Sequence, residues 1–204
     1  MSTITILDGG TATELVRLGF PAINSDPLWS ARLLHTNPEA VKQAHRNFFT
    51  KGSDIVVTAS YQASVAGFVE HLGVTEEGAV LLIKRSVHLA RQAADEVSKD
   101  LGIISGCKNG RVAGSVGPYG ACLHDGSEYT GNYIEGLSDK ELQAWHRPRI
   151  GALLEAGADL LAIETIPCQR EAELVVKLLE CEFPSSQAWV TFSCKVSDRD
   201  CWNL

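Results

Sequence analysis

Short apolar runs alternate along this chain with longer segments of helical periodicity, and this alternation limits the choice of fold more than any other feature of the sequence. The runs are rich in Val, Ile, Leu and Ala, and most of them are apolar on both faces. Strands of this kind are typical of parallel sheets that are covered on both sides. We predict five strands, at residues 4–7, 54–58, 112–116, 160–163 and 188–192.

The segments between these runs predict amphipathic helices. Asn37 followed by Pro38 is a typical helix start, and Ser138 with Glu141 forms a capping box. The predicted helices cover residues 37–49, 78–97, 138–150 and 170–179. Strands that alternate with helices through right-handed crossovers form an α/β fold with a parallel sheet. No repeat, low-complexity segment or linker divides the chain into two domains.

Each predicted strand leads into a polar residue at its carboxyl end. Both the (β/α)8 TIM barrel and the doubly wound sheet place ligands at that end of the strands. Residues 8–11 lack the G-x-G-x-x-G pattern of nucleotide-binding doubly wound sheets, so we favour the TIM-barrel family. A complete barrel has eight strands, so only about the first five β/α units are present. The polar residues are Asp8, Thr58, Ser60, Ser115, Glu164 and Ser193.

The charge and hydropathy of the chain argue against several classes of partner. The 204 residues carry 18 Lys and Arg against 25 Asp and Glu, a net charge of −7, with no basic tract. This argues against nucleic acid and anionic membrane as partners. The apolar stretch at residues 157–167 contains two acidic residues and is too short to cross a bilayer. The first strand begins too close to Met1 to leave room for a secretory signal, so we expect a cytoplasmic protein.

The six cysteines are scattered, without a Cys-x-x-Cys pair or a close Cys/His pairing. In a chain without a secretory signal, this pattern indicates reduced thiols. The spacing gives no support for a zinc site built from these residues alone, so we assign no metal ligand. Cys168, which follows the fourth strand, and His146, within a predicted helix, are expected to have packing or surface roles.

Two segments are specific enough to identify a family. Residues 114–120 read GSVGPYG, and residues 125–129 read DGSEY. With them, the chain resembles the homocysteine S-methyltransferase family from about residue 7 to residue 195, and within it the branch that uses S-methylmethionine. The resemblance implies a barrel enzyme that transfers a methyl group from S-methylmethionine or S-adenosylmethionine to the thiol of homocysteine, giving methionine. The other matching segments are residues 7–15, 26–31, 58–63, 146–149, 156–159 and 163–167.

The homocysteine that this resemblance implies carries an ammonium group and a carboxylate. Asp8 and Glu164 are the predicted partners of the ammonium, through charge-assisted hydrogen bonds. Gly9 and Gly10 allow main-chain N–H groups to approach the carboxylate closely. The alternative role for Asp8 is to form a turn or cap a helix. For Glu164 the alternative is a salt bridge, because an unpaired buried acid is costly.

Hydroxyl and aromatic side chains complete the predicted site. Thr58 and Ser115 are predicted to donate hydrogen bonds to homocysteine, although hydroxyls at such positions also satisfy neighbouring main-chain groups. The sulfonium donor is a cation, for which aromatic faces are suitable partners. Ordinary packing at the barrel mouth is the alternative for each aromatic residue, and Asp26 and Glu128 lie nearby in the sequence. The candidate donor-binding residues are Trp29, Tyr61, Tyr119 and Tyr129.

The resemblance also implies a cofactor. In this family three cysteine thiolates hold zinc, which binds the substrate thiol and keeps it deprotonated. Those cysteines lie in Asn-Cys and Gly-Gly-Cys-Cys motifs after the sixth and eighth barrel strands. None of the six cysteines of this chain matches them. We therefore expect zinc in the full-length family and no metal ligand and no catalytic residue in this chain.

Residues 1–195 are predicted to form a partial homocysteine-binding barrel domain, followed by a divergent tail at residues 196–204. With five strands and none of the family's metal-binding cysteines, we interpret the chain as C-terminally truncated. Translation from an exon that ends in AAG into an intron that begins GTGAGT or GTAAGT gives Lys-Val-Ser, the residues at the point of divergence, so our hypothesis for the tail is a retained intron or an alternative last exon. Open sheet edges would favour association with another chain. We expect impaired methyl transfer; the alternatives are a non-catalytic isoform that binds homocysteine weakly or associates with the full-length enzyme, and an unrelated barrel enzyme without metal.

Overall fold

The computed structural model describes residues 4–102 and 110–194, in which strands and helices alternate. The strands are β1 (Ile55–Val57), β2 (Arg111–Val116), β3 (Leu160–Ile166) and β4 (Ala188–Phe192). The α-helices are α1 (Thr11–Arg17), α2 (Leu33–Thr36), α3 (Pro38–Thr50), α4 (Val65–Leu72), α5 (Glu76–Asp100), α6 (Asp139–Glu155) and α7 (Gln169–Glu182). Short 3-10 helices lie at Pro21–Ser25, Trp29–Arg32, Tyr119–Cys122, Ser127–Tyr129 and Asn132–Gly136.

The strands form one parallel sheet in the order β1-β2-β3-β4. Val56 of β1 pairs with Val112 of β2, and Ser115 of β2 pairs with Ala162 of β3. β4 pairs with β3, with a shift of register after Ile163. Because the strands run in the same direction, their carboxyl ends meet at one edge, where α/β proteins place their ligands. The predicted α/β fold with a parallel sheet is therefore confirmed.

The predicted first strand is reduced to a single β-bridge between Leu7 and Ile55. Three main-chain hydrogen bonds support it. The N–H groups of Asp54 and Ile55 donate to the carbonyl of Ile6 at 2.8 and 3.2 Å, and the N–H of Asp8 donates to the carbonyl of Ile55 at 3.0 Å. The prediction of a full strand is wrong because the segment pairs only with β1, which has three residues, so few ladder bonds can form among the described residues.

Both edges of the described sheet are open to solvent. On the first edge, the side chains of Ile6 and Leu7 are 54% and 49% exposed. On the other edge, Phe192 of β4 is 51% exposed. Exposed apolar edges of a parallel sheet are unusual, because such sheets are normally covered on both faces and closed or shielded at their edges.

The predicted helices are confirmed, and most extend beyond the predicted bounds. The side chain of Asn37 caps α3, that of Thr75 caps α5, and Ser138 and Glu141 form the expected capping box of α6. α1, α2 and α4 were not predicted. They have 7, 4 and 8 residues, too short to show a clear periodicity, and helices of this length depend on tertiary packing.

The hydrophobic core lies between the sheet and the helices. α5 packs on α3 and α6, and Ile83 of α5 and Leu153 of α6 lie with Val112 and Leu161 in one large buried cluster. A smaller cluster covers the opposite face of the sheet, because neighbouring strand residues point to opposite sides; it contains Ile55, Ala113, Leu160 and Ala162. In the described segments, no helix is both long and apolar enough to span a membrane.

Candidate functional site

A cavity of about 1000 Å³ opens at the carboxyl ends of the strands. Its walls come from the segment after Leu7, from residues 24–30, from β4 and the ends of β1, β2 and β3, and from the loops that follow β1 and β2. The site predicted from strand ends is thus one continuous space. The predicted residues that line it are Asp8, Gly9, Gly10, Trp29, Thr58, Tyr61, Ser115, Tyr129 and Glu164.

Asp8 is held by the neighbouring strand. Its Oδ2 accepts a hydrogen bond from the N–H of Val57 at 2.8 Å. Burial raises the pKa of Asp8 to about 7; the hydrogen bond from Val57 opposes this rise and the charge of Glu164 adds to it. Asp8 does not cap α1, because the N-cap residue is Gly10 and no side chain caps the helix. The arrangement therefore leaves a desolvated carboxyl group on the cavity wall.

Glu164 of β3 is the second acidic residue of the wall. The hydroxyl of Ser115 donates a short hydrogen bond to its Oε1. Burial raises the pKa of Glu164, and the hydrogen bond from Ser115 opposes the rise. No described basic side chain forms an ion pair with Glu164 or Asp8. A salt bridge within the described residues therefore does not account for this buried acid.

The hydroxyls of Thr58, Ser60 and Ser115 belong to one hydrogen-bond network that runs through the main chain of Ser115. Thr58 Oγ1 accepts from the N–H of Ser115 at 2.9 Å and lies 2.7 Å from Ser60 Oγ. Ser60 Oγ donates to the carbonyl of Ser115 at 2.8 Å, so Thr58 must be the donor to Ser60. Ser115 in turn directs its hydrogen to Glu164. These hydroxyl hydrogens are engaged within the protein, so Thr58 and Ser115 orient the wall instead of donating freely to a ligand.

Gly9 and Gly10 lie between Asp8 and the start of α1, and their main chain lines the cavity. A Cβ on Gly9 would lie 3.2 Å from the ring of Phe48, and one on Gly10 would lie 3.1 Å from the hydroxyl oxygen of Thr13. Both contacts are tight. A main chain without side chains at this point keeps the N–H groups accessible to a ligand.

Three of the four predicted aromatic residues line the cavity. The rings of Trp29 and Tyr61 meet edge to face, with centroids 5.8 Å apart. Burial raises the pKa of the Tyr61 phenol, whose hydroxyl also forms a side-chain hydrogen bond with Thr165. Tyr129 is 59% exposed at the opening and forms a side-chain hydrogen bond with Glu128. Trp29 and Tyr61 therefore form a fixed aromatic corner, and Tyr129 lies at the mouth.

Tyr119 is the predicted aromatic residue that the structure does not bring to the cavity. Its ring packs on Trp145 of α6, with centroids 5.1 Å apart, and on Tyr133, at 5.5 Å. The residues that line the cavity do not include it. Residues 117–120 turn the chain back toward α6, so the ring of Tyr119 packs on that helix and not on the cavity wall.

The charged residues around the cavity are mostly acidic. Asp26 is neutralised, because Arg32 Nε lies 2.7 Å from its Oδ2. Burial raises the pKa of Glu128. Neither Lys nor Arg is found among the described residues that line the cavity, and His124 is the basic side chain there. With Asp8 and Glu164 at the strand ends, the cavity is suited to ligands that carry positive charge.

Comparison with known proteins identifies the family. The sequence profile described as homocysteine S-methyltransferase matches residues 5–202. The chain belongs to the homocysteine S-methyltransferase family. It is 48% identical to a homocysteine S-methyltransferase of Bacillus subtilis over 193 residues and 47% identical to a betaine-homocysteine S-methyltransferase of Drosophila melanogaster over 191 residues. The alignments cover 94% of this chain and 58–59% of those proteins, so the chain spans less than two thirds of their length.

The structure is also similar to that of a homocysteine S-methyltransferase family member from Escherichia coli. The metallated form of that homocysteine methyltransferase superposes with a TM-score of 0.85 at 44% identity, covering 95% of this chain and 64% of that one. Its oxidised form gives a TM-score of 0.83. The family and the fold predicted from the sequence are both confirmed.

The existence of a metallated form of the E. coli homocysteine methyltransferase indicates a metal in this family. The described part of this chain contains no group of three or more His, Cys, Asp or Glu side chains with the spacing of a metal site. Cys122 and Cys168 are partly buried, and Cys181 and Cys194 are exposed, each as a free thiol. The described residues therefore do not fit a three-thiolate metal site. Cys107, Cys201 and the tail at residues 196–204 lie outside the described residues.

Sequence reasoning missed a buried polar group beside the cavity of this methyltransferase-family chain. Glu171 of α7 accepts hydrogen bonds from the main-chain N–H of Tyr119 at 2.8 Å, from His146 Nε2 at 2.8 Å and from the hydroxyl of Tyr133. Burial alone would raise the pKa of Glu171, but the hydrogen bonds from His146, Tyr133 and Tyr119 outweigh it and leave the pKa lowered. Burial lowers the pKa of His146, so its imidazole is neutral and donates through Nε2.

Two glycines allow the loop after β2 to pack tightly. A Cβ on Gly117 would lie 2.6 Å from the ring of Tyr61, and a Cβ on Gly120 would lie 2.4 Å from the ring of Tyr133 and 2.7 Å from the main-chain nitrogen of Glu128. Both glycines belong to the GSVGPYG segment. The close packing of this loop therefore requires glycine at both positions, since no side chain fits at either one.

Backbone strain is concentrated at the same cavity. Three non-glycine residues of the described chain have positive φ: Trp29 at 47°, His124 at 57° and Thr165 at 60°. All three line the cavity. Left-handed conformations are unfavourable for residues with a Cβ, and they concentrate at functional sites. The sequence offered one indirect sign of Thr165: it directly follows Glu164, which was already a predicted site residue.

Proposed function

We propose that the cavity binds homocysteine, with the ammonium group between the carboxylates of Asp8 and Glu164. The observation that carries the proposal is that two desolvated carboxyl groups face one cavity and neither is neutralised by a described basic side chain. A buried carboxylate without a cationic partner is costly. The ligand ammonium supplies that partner through charge-assisted hydrogen bonds.

The carboxylate of homocysteine is proposed to accept hydrogen bonds from the main chain at Gly9 and Gly10. These residues adjoin Asp8 and line the same cavity, and the lining offers no Lys or Arg side chain for an anion among the described residues. Main-chain N–H groups beside a glycine pair are suitable donors for such a group. Thr58 and Ser115 contribute by holding the strand ends and Glu164 in place.

The second substrate of the proposed reaction is a sulfonium methyl donor. Trp29 and Tyr61 offer aromatic faces, and Tyr129 with Glu128 lies at the opening; such a surface attracts a cation. S-methylmethionine and S-adenosylmethionine carry a net positive charge near neutral pH, whereas betaine is a neutral zwitterion. The acidic lining therefore favours a sulfonium donor. In the transfer, the thiolate sulfur of homocysteine forms the new bond to the methyl carbon, and the donor sulfur leaves as a neutral thioether with the electron pair.

Zinc is proposed as the metal of the complete family site, on the resemblance and the metallated relative. When bound, zinc stabilises a substrate thiolate. The described residues hold no fitting ligand set, so the roles proposed for this chain are binding and orientation of the substrates. We propose that methyl transfer by this chain alone is impaired, and the cytoplasmic location stays a prediction.

A second candidate function is association with another chain without catalysis. It is favoured by the two open edges of the sheet, where Ile6, Leu7 and Phe192 are about half exposed. Unpaired edges present main-chain donors and acceptors to another strand. The full-length enzyme is the proposed partner, since its barrel is built from the same sheet.

Calorimetric titration of the purified chain with homocysteine tests the main proposal. Binding is expected for the unmodified chain, and Asp8→Asn and Glu164→Gln are each expected to weaken it about tenfold, since each removes a charge-assisted hydrogen bond. Glu155→Gln is the matched control, because Glu155 is an exposed partner of Lys84. Absence of any heat of binding, or equal affinity in all variants, would contradict the proposal.

A further inference from the structure

Arg149 of α6 is a buried guanidinium whose hydrogen bonds join two loops. The residue is 1% exposed. Its Nη1 donates to the carbonyl of Gly117 at 3.0 Å, and its Nη2 donates to those of Tyr61 at 2.7 Å and Ser60 at 3.2 Å. Its three hydrogen bonds therefore all go to main-chain carbonyls, at the carboxyl ends of β1 and β2. The planar, two-pronged donor geometry of Arg allows one side chain to reach both loops.

The loops joined by Arg149 carry the aromatic corner of the cavity. The ring of Tyr61 meets Trp29 on one side and lies against the main chain of Gly117 on the other, where a Cβ would come within 2.6 Å of it. Arg149 binds the carbonyls of both Tyr61 and Gly117. The guanidinium thus joins the two loops at the point where the Tyr61 ring meets the main chain of Gly117.

Stability alone does not account for a guanidinium here. Burial lowers the pKa of Arg149 to about 10, so the group stays charged at neutral pH. Its Nε has no hydrogen-bond partner among the described groups. Its charge is compensated in part by the carboxylate of Glu171 and by the face of Trp145, 4.4 Å from Cζ to the ring centroid. A buried charge of this kind is expensive compared with an apolar side chain of similar volume. What an apolar side chain lacks is the ability to join the two loops.

We propose that Arg149 is a positioning residue for the donor side of the site, acting through the main-chain carbonyls of Tyr61 and Gly117 to hold the Tyr61 ring against the ligand. The proposal rests on the proposed function in one respect, namely that Tyr61 contacts the methyl donor. Arg149 itself lies outside the cavity lining. It would therefore affect donor binding and leave homocysteine binding at Asp8 and Glu164 unchanged.

The first experiment follows the Tyr61 ring without any ligand. The full chain labelled with 3-fluorotyrosine contains four tyrosines, and the Tyr61→Phe variant identifies the ¹⁹F resonance of Tyr61. Arg149→Lys and Arg149→Met are expected to shift or broaden that resonance more than the other three. Arg147→Lys and Arg147→Met are the matched controls, because Arg147 lies on the same helix but forms an exposed ion pair with Glu182. These two variants are expected to leave the Tyr61 resonance unchanged.

The second experiment measures binding of S-methylmethionine and of homocysteine by calorimetry. Arg149→Lys is expected to weaken binding of S-methylmethionine about tenfold and that of homocysteine less than about twofold. In a Tyr61→Ala background the same substitution is expected to change donor affinity less than about twofold, because an effect transmitted through the ring disappears with the ring.

The outcomes separate the two proposals. If the unmodified chain binds no S-methylmethionine while Arg149→Lys still moves the Tyr61 resonance, the donor assignment fails and the positioning role of Arg149 stands. An unmoved Tyr61 resonance, or equal loss of affinity with and without the Tyr61 ring, overturns the positioning role. Unfolding of both Arg149→Lys and Arg149→Met, seen by circular dichroism, would also overturn it, since Arg149 would then support the core as a whole.

Discussion

The floor of the cavity and its rim are built in different ways. The floor consists of Asp8, Thr58, Ser115 and Glu164 at the strand ends, joined by hydrogen bonds to the neighbouring strands. The rim consists of residues 61–62 and 117–129, which lie in loops and 3-10 turns. The rim is held from behind by Arg149 of α6 and Glu171 of α7 and by glycines without room for a side chain.

This difference separates the residues proposed to bind the substrate from those that hold the loops around it in place. In the floor, the groups that line the cavity are themselves the groups that the sheet holds, so a substitution there is expected to change the proposed binding first. In the rim, the side chains that line the cavity are supported by buried residues that lie outside its lining. Substitutions behind the rim are therefore expected to change stability first, by more than those in the floor.

The largest effect is expected for Gly120→Ala in the rim. The added Cβ would lie 2.4 Å from Tyr133 and 2.8 Å from the carbonyl carbon of Ser127. Because main-chain atoms cannot move aside as a side chain can, we expect a loss of about 3 kcal/mol in the free energy of unfolding. Urea denaturation followed by circular dichroism measures it. Gly136→Ala is the control, since no atom lies within 4 Å of its added Cβ; an equal loss there would remove the steric argument.

The next effect is expected for Glu171→Gln behind the rim. Three hydrogen bonds converge on this carboxylate, and loss of its charge is expected to cost about 2 kcal/mol. The folded-state pKa of Glu171 lies below its ordinary 4.5, so its contribution is complete above pH 4.5 and decreases as the pH falls through the folded pKa. Thermal melts should show a smaller difference in melting temperature between the unmodified chain and Glu171→Gln at pH 3 than at pH 7. Glu173→Gln, an exposed change on α7, should show no such difference.

A smaller effect on binding is expected for Asp8→Asn in the floor, about 1.4 kcal/mol or tenfold. Because the pKa of Asp8 is about 7, homocysteine binding by the unmodified chain should strengthen as the pH rises through 7 and the carboxyl group ionises. The variant should show a flat profile between pH 6 and 8. Calorimetry at several pH values measures both, with Asp139→Asn as the exposed control. A flat profile for the unmodified chain would contradict the ammonium site.

Asp8→Asn should weaken homocysteine binding but stabilise the folded protein above pH 7. The Asp8 carboxyl group loses its proton near 3.8 when unfolded and near 7 when folded, so the folded state holds more protons between these values. Stability then falls as the pH rises from about 4 to 7. Asp8→Asn removes this decline and is expected to raise the melting temperature at pH 8 by a few degrees. A lower melting temperature would show that the bond to Val57 matters more than desolvation.

The smallest effect is expected for Ser115→Ala, which removes the hydrogen bond that orients Glu164. Homocysteine binding should weaken about threefold, or about 0.7 kcal/mol, with little change in stability. Ser86→Ala is the matched control, because Ser86 is equally buried but bonds to the carbonyl of Ile83 within α5. If both variants bind homocysteine as the unmodified chain does, Ser115 has no part in the floor.

The floor could be predicted from the sequence, because it depends on local order. The carboxyl end of each predicted strand marks a point at the same edge of a parallel sheet, so Asp8, Thr58, Ser115 and Glu164 could be grouped without knowledge of any contact. Local order did not reveal how the hydroxyls of Thr58 and Ser115 are used, since their partners depend on the register between β1, β2 and β3.

The supports of the rim could not be predicted in this way. His146 and Arg149 are three residues apart on α6, which places them on one face of the helix. The partner of His146 is 25 residues away in sequence, and those of Arg149 are 32 to 89 residues away, so local order does not reveal them. Tyr119 was assigned to the cavity by its place in a family motif, and the path of residues 117–120 turns it toward Trp145. The first strand was predicted because residues 4–7 are an apolar, β-branched run. Whether such a run forms a strand depends on its neighbour, and β1 pairs with it at a single bridge.

The left-handed backbone of Trp29, His124 and Thr165 has a consequence for any attempt to make this protein more heat-resistant. Such conformations are relieved by glycine, and often by asparagine, so an engineering campaign scored only on melting temperature would select changes at these three positions. All three side chains line the cavity. Heat resistance and the proposed ligand binding are therefore expected to conflict at the same residues, and a library intended to keep both should leave these three codons unchanged.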